Sequence, residues 1–275
     1  MKVTLTATAI ICILLPAILY AGEGSMTAAE IVRQANHMAL YQGEDTKGSV
    51  KMEIKDSQGR IRRRAFNILR KNADTKDRNQ LYFTYFLAPA DVRKMVFMVH
   101  KHAALDVDDD RWLYMPSLDL VKRIAAGDKR TSFVGSDFLY EDISGRSPEE
   151  DRHELTGTTD RFYEIKSVPK NPGSVEFEYS ISYVDKQTFM PMKMAYYKRG
   201  NLCARVIEVM KLENIEARED NRKVVYPTAI LTVARNLETG SQTTMAFSGI
   251  RYNAGFGADL FTERYLRRPP RDVMR

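Results

Sequence analysis

Five groups of residues have types and spacings that chemistry could use. His100 and His102 stand two apart, so a strand would turn both to one face, and His153 could add a third metal ligand. No cysteine or ordered carboxylate spacing completes that set, and two polar edge histidines account for the pair. Asp106, Asp108, Asp109 and Asp110 suggest calcium by composition. The position where a helix-loop-helix calcium site needs glycine is Arg111, however, and its closing glutamate position is Ser117, so an acidic hairpin turn is the better reading. Asp137 and Glu141 would share one face of a short helix as an acid and a base, yet no histidine or nucleophile lies beside them in sequence. Ser136 lacks the second glycine of a nucleophile elbow because Phe138 stands there. Gly255 and Gly257 form a lone pair without the rest of a phosphate-binding fingerprint. With no triad and no metal set, the expectation is a protein that is not an enzyme and needs no cofactor.

Two basic clusters remain. Arg60, Arg62, Arg63 and Arg64 fall in a strand pattern in which Arg62 and Arg64 face one way and Ile61, Arg63 and Ala65 the other. That alternation makes a solvated sheet surface, with docking on lipid headgroups or an acidic partner as the alternative. Arg267, Arg268, Arg271 and Arg275 form a basic tail. The formal charge of +6 is a mild excess that does not choose between partners.

The first twenty residues read as an export signal. Lys2 is a short positive region, Val3 to Leu19 is apolar apart from threonines and Pro16, and Ala21 and Gly22 supply small residues for cleavage. A retained anchor is the competing reading of the same run. The expected organisation is a signal peptide at 1–21 and one working domain at 22–275, outside the cytoplasm. Cys12 sits inside the apolar run, where lipidation is not expected, and its removal leaves Cys203 as the only thiol. Export argues against nucleic acid as a partner, and a monomer is expected.

The elements that would position any site are mostly strands. Thr27-Ala28-Ala29-Glu30 has the capping-box pattern, and Ile31, Ala35 and Met38 mark one face of a helix over Thr27 to Leu40. After Gly48 the period becomes two: Val50, Met52 and Ile54 alternate with Lys51, Glu53 and Lys55, and Ser57-Gln58-Gly59 supplies a turn. Similar runs recur to Tyr252, separated by Asp, Pro or Gly. Without crossover helices they predict a mainly β fold, a curved antiparallel sheet of about ten strands with the first helix on its concave side. Phe133 to Ile143 and Asp259 to Leu266 read as short helical pieces against the same face, the former as a lid.

The strands use many large, adaptable side chains. Phe83, Phe97, Trp112, Tyr114, Phe133, Phe138, Tyr140 and Met194 suit either a solid core or a groove for flexible acyl chains, because methionine and aromatic rings fill irregular space.

Four stretches sharpen the choice: Phe86-Leu87-Ala88-Pro89-Ala90-Asp91, Trp112-Leu113-Tyr114-Met115-Pro116, Lys122-Arg123-Ile124, and Phe133-Val134-Gly135-Ser136-Asp137-Phe138 running into Tyr140-Glu141-Asp142. In this order and spacing the chain resembles the outer-membrane lipoprotein-sorting proteins, relatives of LolA and LolB. The resemblance implies an unclosed β-barrel around a hydrophobic cavity with helices as a lid. It implies a carrier of lipoprotein or lipid acyl chains across the periplasm, with an inner-membrane exporter as a partner and no catalysis. Those eight aromatic and methionine residues then become candidates for cavity and lid. The chain is longer than expected of LolA and shows no match to its cargo-binding residues, so phospholipid or another hydrophobic molecule is as good a cargo as lipoprotein. An accessory subunit that docks on a lipid exporter without cargo is the alternative, and a hydrolase with an unseen site is the third.

Overall fold

The computed structural model describes residues 26–74 and 78–274, and the leader with its expected cleavage site lies outside them. Thr27 starts the first helix, α1 (Ala28–Asn36): its hydroxyl accepts from the Glu30 amide, and the Glu30 carboxylate accepts from the Thr27 amide at 2.7 Å. This reciprocal pair satisfies two of the amides that a helix start leaves open. The helix buries Ile31 and Ala35 and runs on as a π turn at His37–Tyr41. Arg70 fixes that turn to the sheet by donating to the Leu40 carbonyl at 2.8 Å.

Strands β1 (Asp45–Lys55), β2 (Ile61–Asn72), β3 (Gln80–Ala88), β4 (Val96–Lys101), β5 (Asp110–Met115) and β6 (Leu120–Arg123) form one antiparallel meander. A second consists of β7 (Asp151–Thr158), β8 (Phe162–Pro169), β9 (Tyr179–Asp185), β10 (Pro191–Lys198), β11 (Leu202–Glu219), β12 (Arg222–Asn236) and β13 (Ser241–Tyr252). Pairing of β1 with β13 fuses them into one sheet of 13 strands whose free edges, β6 and β7, do not meet. The barrel is therefore unclosed. Residues 124–150 carry the chain from one free edge to the other and include the helix α2 (Tyr140–Ser144).

Period-two alternation divides the apolar residues cleanly between two faces. On the inner face Val50, Met52, Phe66, Tyr82, Phe86 and Phe97 form one cluster with Phe133, Phe138 and Tyr140. Their neighbours of opposite parity, Leu69, Phe83, Tyr85, Val96, Met98, Trp112 and Tyr114, form another on the outer face. That second cluster is covered by the end of the chain: a 3-10 turn at Ala258–Phe261, then α3 (Arg264–Arg267) and α4 (Arg271–Met274), which contribute Phe261, Leu266 and Val273.

The structure thus corrects the expectation that all helical pieces share the concave side. Only α1 and the α2 segment sit there; the closing pieces lie on the other face, because β3 and β4 are apolar on both sides and need cover twice. The strand count exceeds the expected ten, in part because β7 has a charged sequence with no apolar alternation.

Candidate functional site

A cavity of about 600 Å³ lies inside the curved sheet. Its origin is a change of side-chain size. The inner faces of β2 to β4 carry Phe66, Tyr82, Phe86 and Phe97, which fill the curve, whereas Ser167, Ser180, Ser182, Ala204, Ala229 and Thr232 stand at the cavity. Side chains this short cannot reach across to the helices, so close packing fails locally and space remains. The apolar wall is built from Phe66, Ile68, Met194, Ile207, Met245 and Phe247, and α1 with its π turn adds Val32, Ala35, Ala39 and Leu40.

The segment 131–145 closes over this space and is pinned from four directions. Phe133 is fully buried among Phe66, Phe86, Phe97 and Tyr140. Asp137 accepts from both the Ser241 and Thr243 hydroxyls on β13, and its amide donates to Thr243 Oγ1 at 2.9 Å. Lys101 donates to the Ser144 carbonyl at 2.7 Å, and Arg62 to the Gly135 carbonyl at 3.1 Å. Asp142 caps the α2 turn by accepting from the Leu139 amide at 2.7 Å and makes a two-pronged ion pair with Arg205 of β11. Gly145 ends the helix at φ +78°, a conformation that glycine adopts without a Cβ penalty.

Charge gathers where the lid meets the wall. Burial opposes the charge on Arg205, but Asp142 beside it, together with Tyr196 and Glu141, outweighs burial and holds its pKa above that of an ordinary arginine. The Arg205 guanidinium also lies 4.2 Å from the centre of the Tyr196 ring. Arg146 donates to Asp151 at 2.8 Å and pairs with Glu150 at 2.7 Å; burial again works against its charge, and these carboxylates with Glu141 raise its pKa overall.

The eight candidate residues separate into three places. Phe138 and Met194 line the cavity. Phe97, Phe133 and Tyr140 belong to the packed cluster that supports the lid. Phe83, Trp112 and Tyr114 lie on the outer face under the closing helices, away from the cavity. Sequence reasoning passed over Asp142 and Arg205. Arg205 had a signal, since it is a lone cation in the apolar run Ala204-Arg205-Val206-Ile207.

The histidines and most of the acidic candidates have structural partners. His100 donates to the Phe261 carbonyl at 2.7 Å, His102 faces Asp110, and His153 contacts Ser167 and the Pro148 carbonyl. Asp109 and Asp110 pair with Arg111 and Arg123. Asp137 binds β13 while Glu141 faces Lys129 at 3.3 Å, so they do not work as a pair. Among the described residues no group of three or more His, Cys, Asp or Glu could hold a metal ion. No described helix is long and apolar enough to cross a membrane.

Solved structures share this architecture. A DUF1329 family protein from Desulfovibrio piger is 23% identical, with a TM-score of 0.76 over 87% of this chain and 97% of its own. An outer membrane lipoprotein-sorting protein domain from Vibrio parahaemolyticus is 23% identical, with a TM-score of 0.74 over 88% and 98%. A LolA superfamily protein from Nitrosomonas europaea is 15% identical, with a TM-score of 0.65 over 88% and 100%. At these identities the likeness is one of fold. No curated protein matches the sequence. A family model described as "Uncharacterized protein" matches residues 78–268, most of the chain, which therefore belongs to that family and has the unclosed-barrel fold of the LolA-like lipoprotein-sorting proteins.

Proposed function

We propose that this protein is a periplasmic carrier that takes acyl chains of a lipoprotein or lipid into the lidded cavity and moves them towards the outer membrane without catalysing a reaction. In this reading a cleavable signal peptide exports the chain, it works as a monomer, and an inner-membrane exporter hands over the cargo. The observation that carries it is the 600 Å³ space with an apolar wall beneath a pinned lid, a volume within the range of about 300–1,000 Å³ typical of ligand sites. Each buried methylene is worth about 0.8 kcal/mol, so one sixteen-carbon chain gains roughly 10 kcal/mol before ordering costs. Release then depends on lid movement or on a partner.

One feature favours the accessory-subunit alternative. Beyond their last pairings with β10 and β13, β11 and β12 continue as a two-stranded ribbon with Met210 and Val225 exposed, a shape suited to docking. Mass spectrometry of organic extracts from the purified exported protein separates the two. Stoichiometric lipid is expected for the carrier; a lipid-free extract from protein that also refuses added lipid would leave the docking role.

A further inference from the structure

Arg205 is a cation set into the apolar side of the cavity. Its neighbours on the wall are Met194, Tyr196 and Ile207, and its side chain is only 14% exposed. The Asp142 carboxylate that faces it, 11% exposed, belongs to the lid. A buried pair of this kind is a poor stabilising device, because apolar side chains of similar volume usually serve as well or better. Its geometry is better suited to recognition: a guanidinium fork binds a carboxylate or a phosphate in the same two-pronged manner.

Two further observations favour an exchangeable anion here. Asp142 has a second partner, the Leu139 amide at 2.7 Å, so a carboxylate that gave up Arg205 would still cap α2. Arg130, which lines the cavity just before the lid segment, has a buried Nε that makes no hydrogen bond and stands 3.9 Å from the Glu141 carboxylate. A donor left in that state favours an acceptor that reaches it.

Resting on the carrier reading above, we propose that the cavity selects amphiphiles with an anionic headgroup, a carboxylate or a phosphate, which Arg205 binds in competition with Asp142. The acyl chain lies along Met194, Ile207, Met245 and Phe247 while the headgroup meets Arg205 under the lid. Capture of Arg205 by the headgroup also undoes one of the contacts that hold the lid to β11, which couples cargo charge to lid release.

The test displaces a fluorescent fatty-chain dye from the purified exported protein with matched lipids: palmitic acid against its methyl ester, and phosphatidic acid against diacylglycerol. Each charged lipid is expected to compete about tenfold better than its neutral partner, the size of a charge-assisted hydrogen-bond pair. Preference in only one of the two pairs supports the proposal and identifies the headgroup as carboxylate or phosphate. Arg205→Gln is expected to bring the ratio close to one, and Asp142→Asn, which frees the guanidinium, to raise it. Equal competition by charged and neutral lipids overturns the headgroup assignment and leaves the carrier reading intact; failure of all four to compete removes both. If Arg205→Gln does not fold, Asp142→Asn decides, and an unchanged ratio in that variant overturns the proposal.

Discussion

The ring of Phe133 meets the ring of Tyr140 edge to face, with centroids 5.4 Å apart and planes at 88°. Phe66, Phe86 and Phe97 complete the nest at centroid distances of 5.6 to 6.0 Å from Phe133. The lid is therefore anchored by packing from beneath, in addition to its polar ties. Phe133→Ala removes the central ring and is expected to cost about 3–5 kcal/mol, as large-to-small changes in packed aromatic sites do. A urea titration reads this as a lower midpoint at unchanged slope; a loss under about 1 kcal/mol would remove Phe133 as the anchor.

Phe138 is 5% exposed and touches both the cavity and the inner cluster. Phe138→Asp places a charge where acyl chains would lie, so co-purified lipid is expected to fall severalfold while the β-rich circular-dichroism spectrum persists. The buried charge also costs stability, on the order of a few kcal/mol. Unchanged lipid content alongside a collapsed melting temperature would show that Phe138 plugs a core and does not border cargo.

Gly145 links the lid to the turn after α1. An alanine Cβ there would sit 2.2 Å from Leu40 Cδ1, and φ is +78°. Two costs are therefore expected from Gly145→Ala, a clash that Leu40 can partly relieve and a backbone strain of about 1–3 kcal/mol that it cannot. The double variant with Leu40→Ala is expected to recover only the first part relative to Leu40→Ala alone. Full recovery in a double-mutant cycle would mean that the conformation at 145 imposes no strain.

Lys101 gives a pH signature. Burial lowers its pKa from 10.5 to about 8, against the raising effect of Asp109, Glu150 and Glu141 and with Arg111 adding to the decrease. Between about 8 and 10.5 the unfolded chain holds this proton while the folded chain releases it, so stability from this group rises with pH across that window. Below it the fold carries the whole cost of the buried ammonium, on the order of 3 kcal/mol. Urea unfolding of the native protein at pH 7.5 and 10.5 is expected to show the rise, and Lys101→Met to flatten it. An identical slope in the variant would assign the rise to other groups.

The strands and the helix start were legible because their signals are local. Thr27 and Glu30 form the expected capping box, and Val50, Met52 and Ile54 face inwards as their alternation requires. The strand β7 escaped because Arg152, Glu154 and Thr156 leave no apolar period at a free edge that needs little burial. The lid was legible at Phe133 and Phe138, since a segment that apolar must pack somewhere. Alternation gives two faces without saying which one encloses space. Phe83, Trp112 and Tyr114 therefore looked equivalent to Phe97 until the closing helices were seen to cover them. The cavity was harder still to read. It is signalled by small residues such as Ser180 and Ser182 opposite nothing larger, and what stands opposite is a tertiary fact.

The pairing of β1 with β13 sets the order of assembly. Every other neighbouring pair of strands is joined by a local hairpin, so each meander can zip up from nearby contacts, but Val50 meets Phe247 across about 200 residues of chain. That closure carries the largest loop entropy in the sheet. Until it forms, both meanders expose an unpaired, partly apolar edge. Topology alone therefore predicts that docking of the two meanders is the slow step of folding, and that a newly made chain is most prone to aggregate in the interval before β13 arrives.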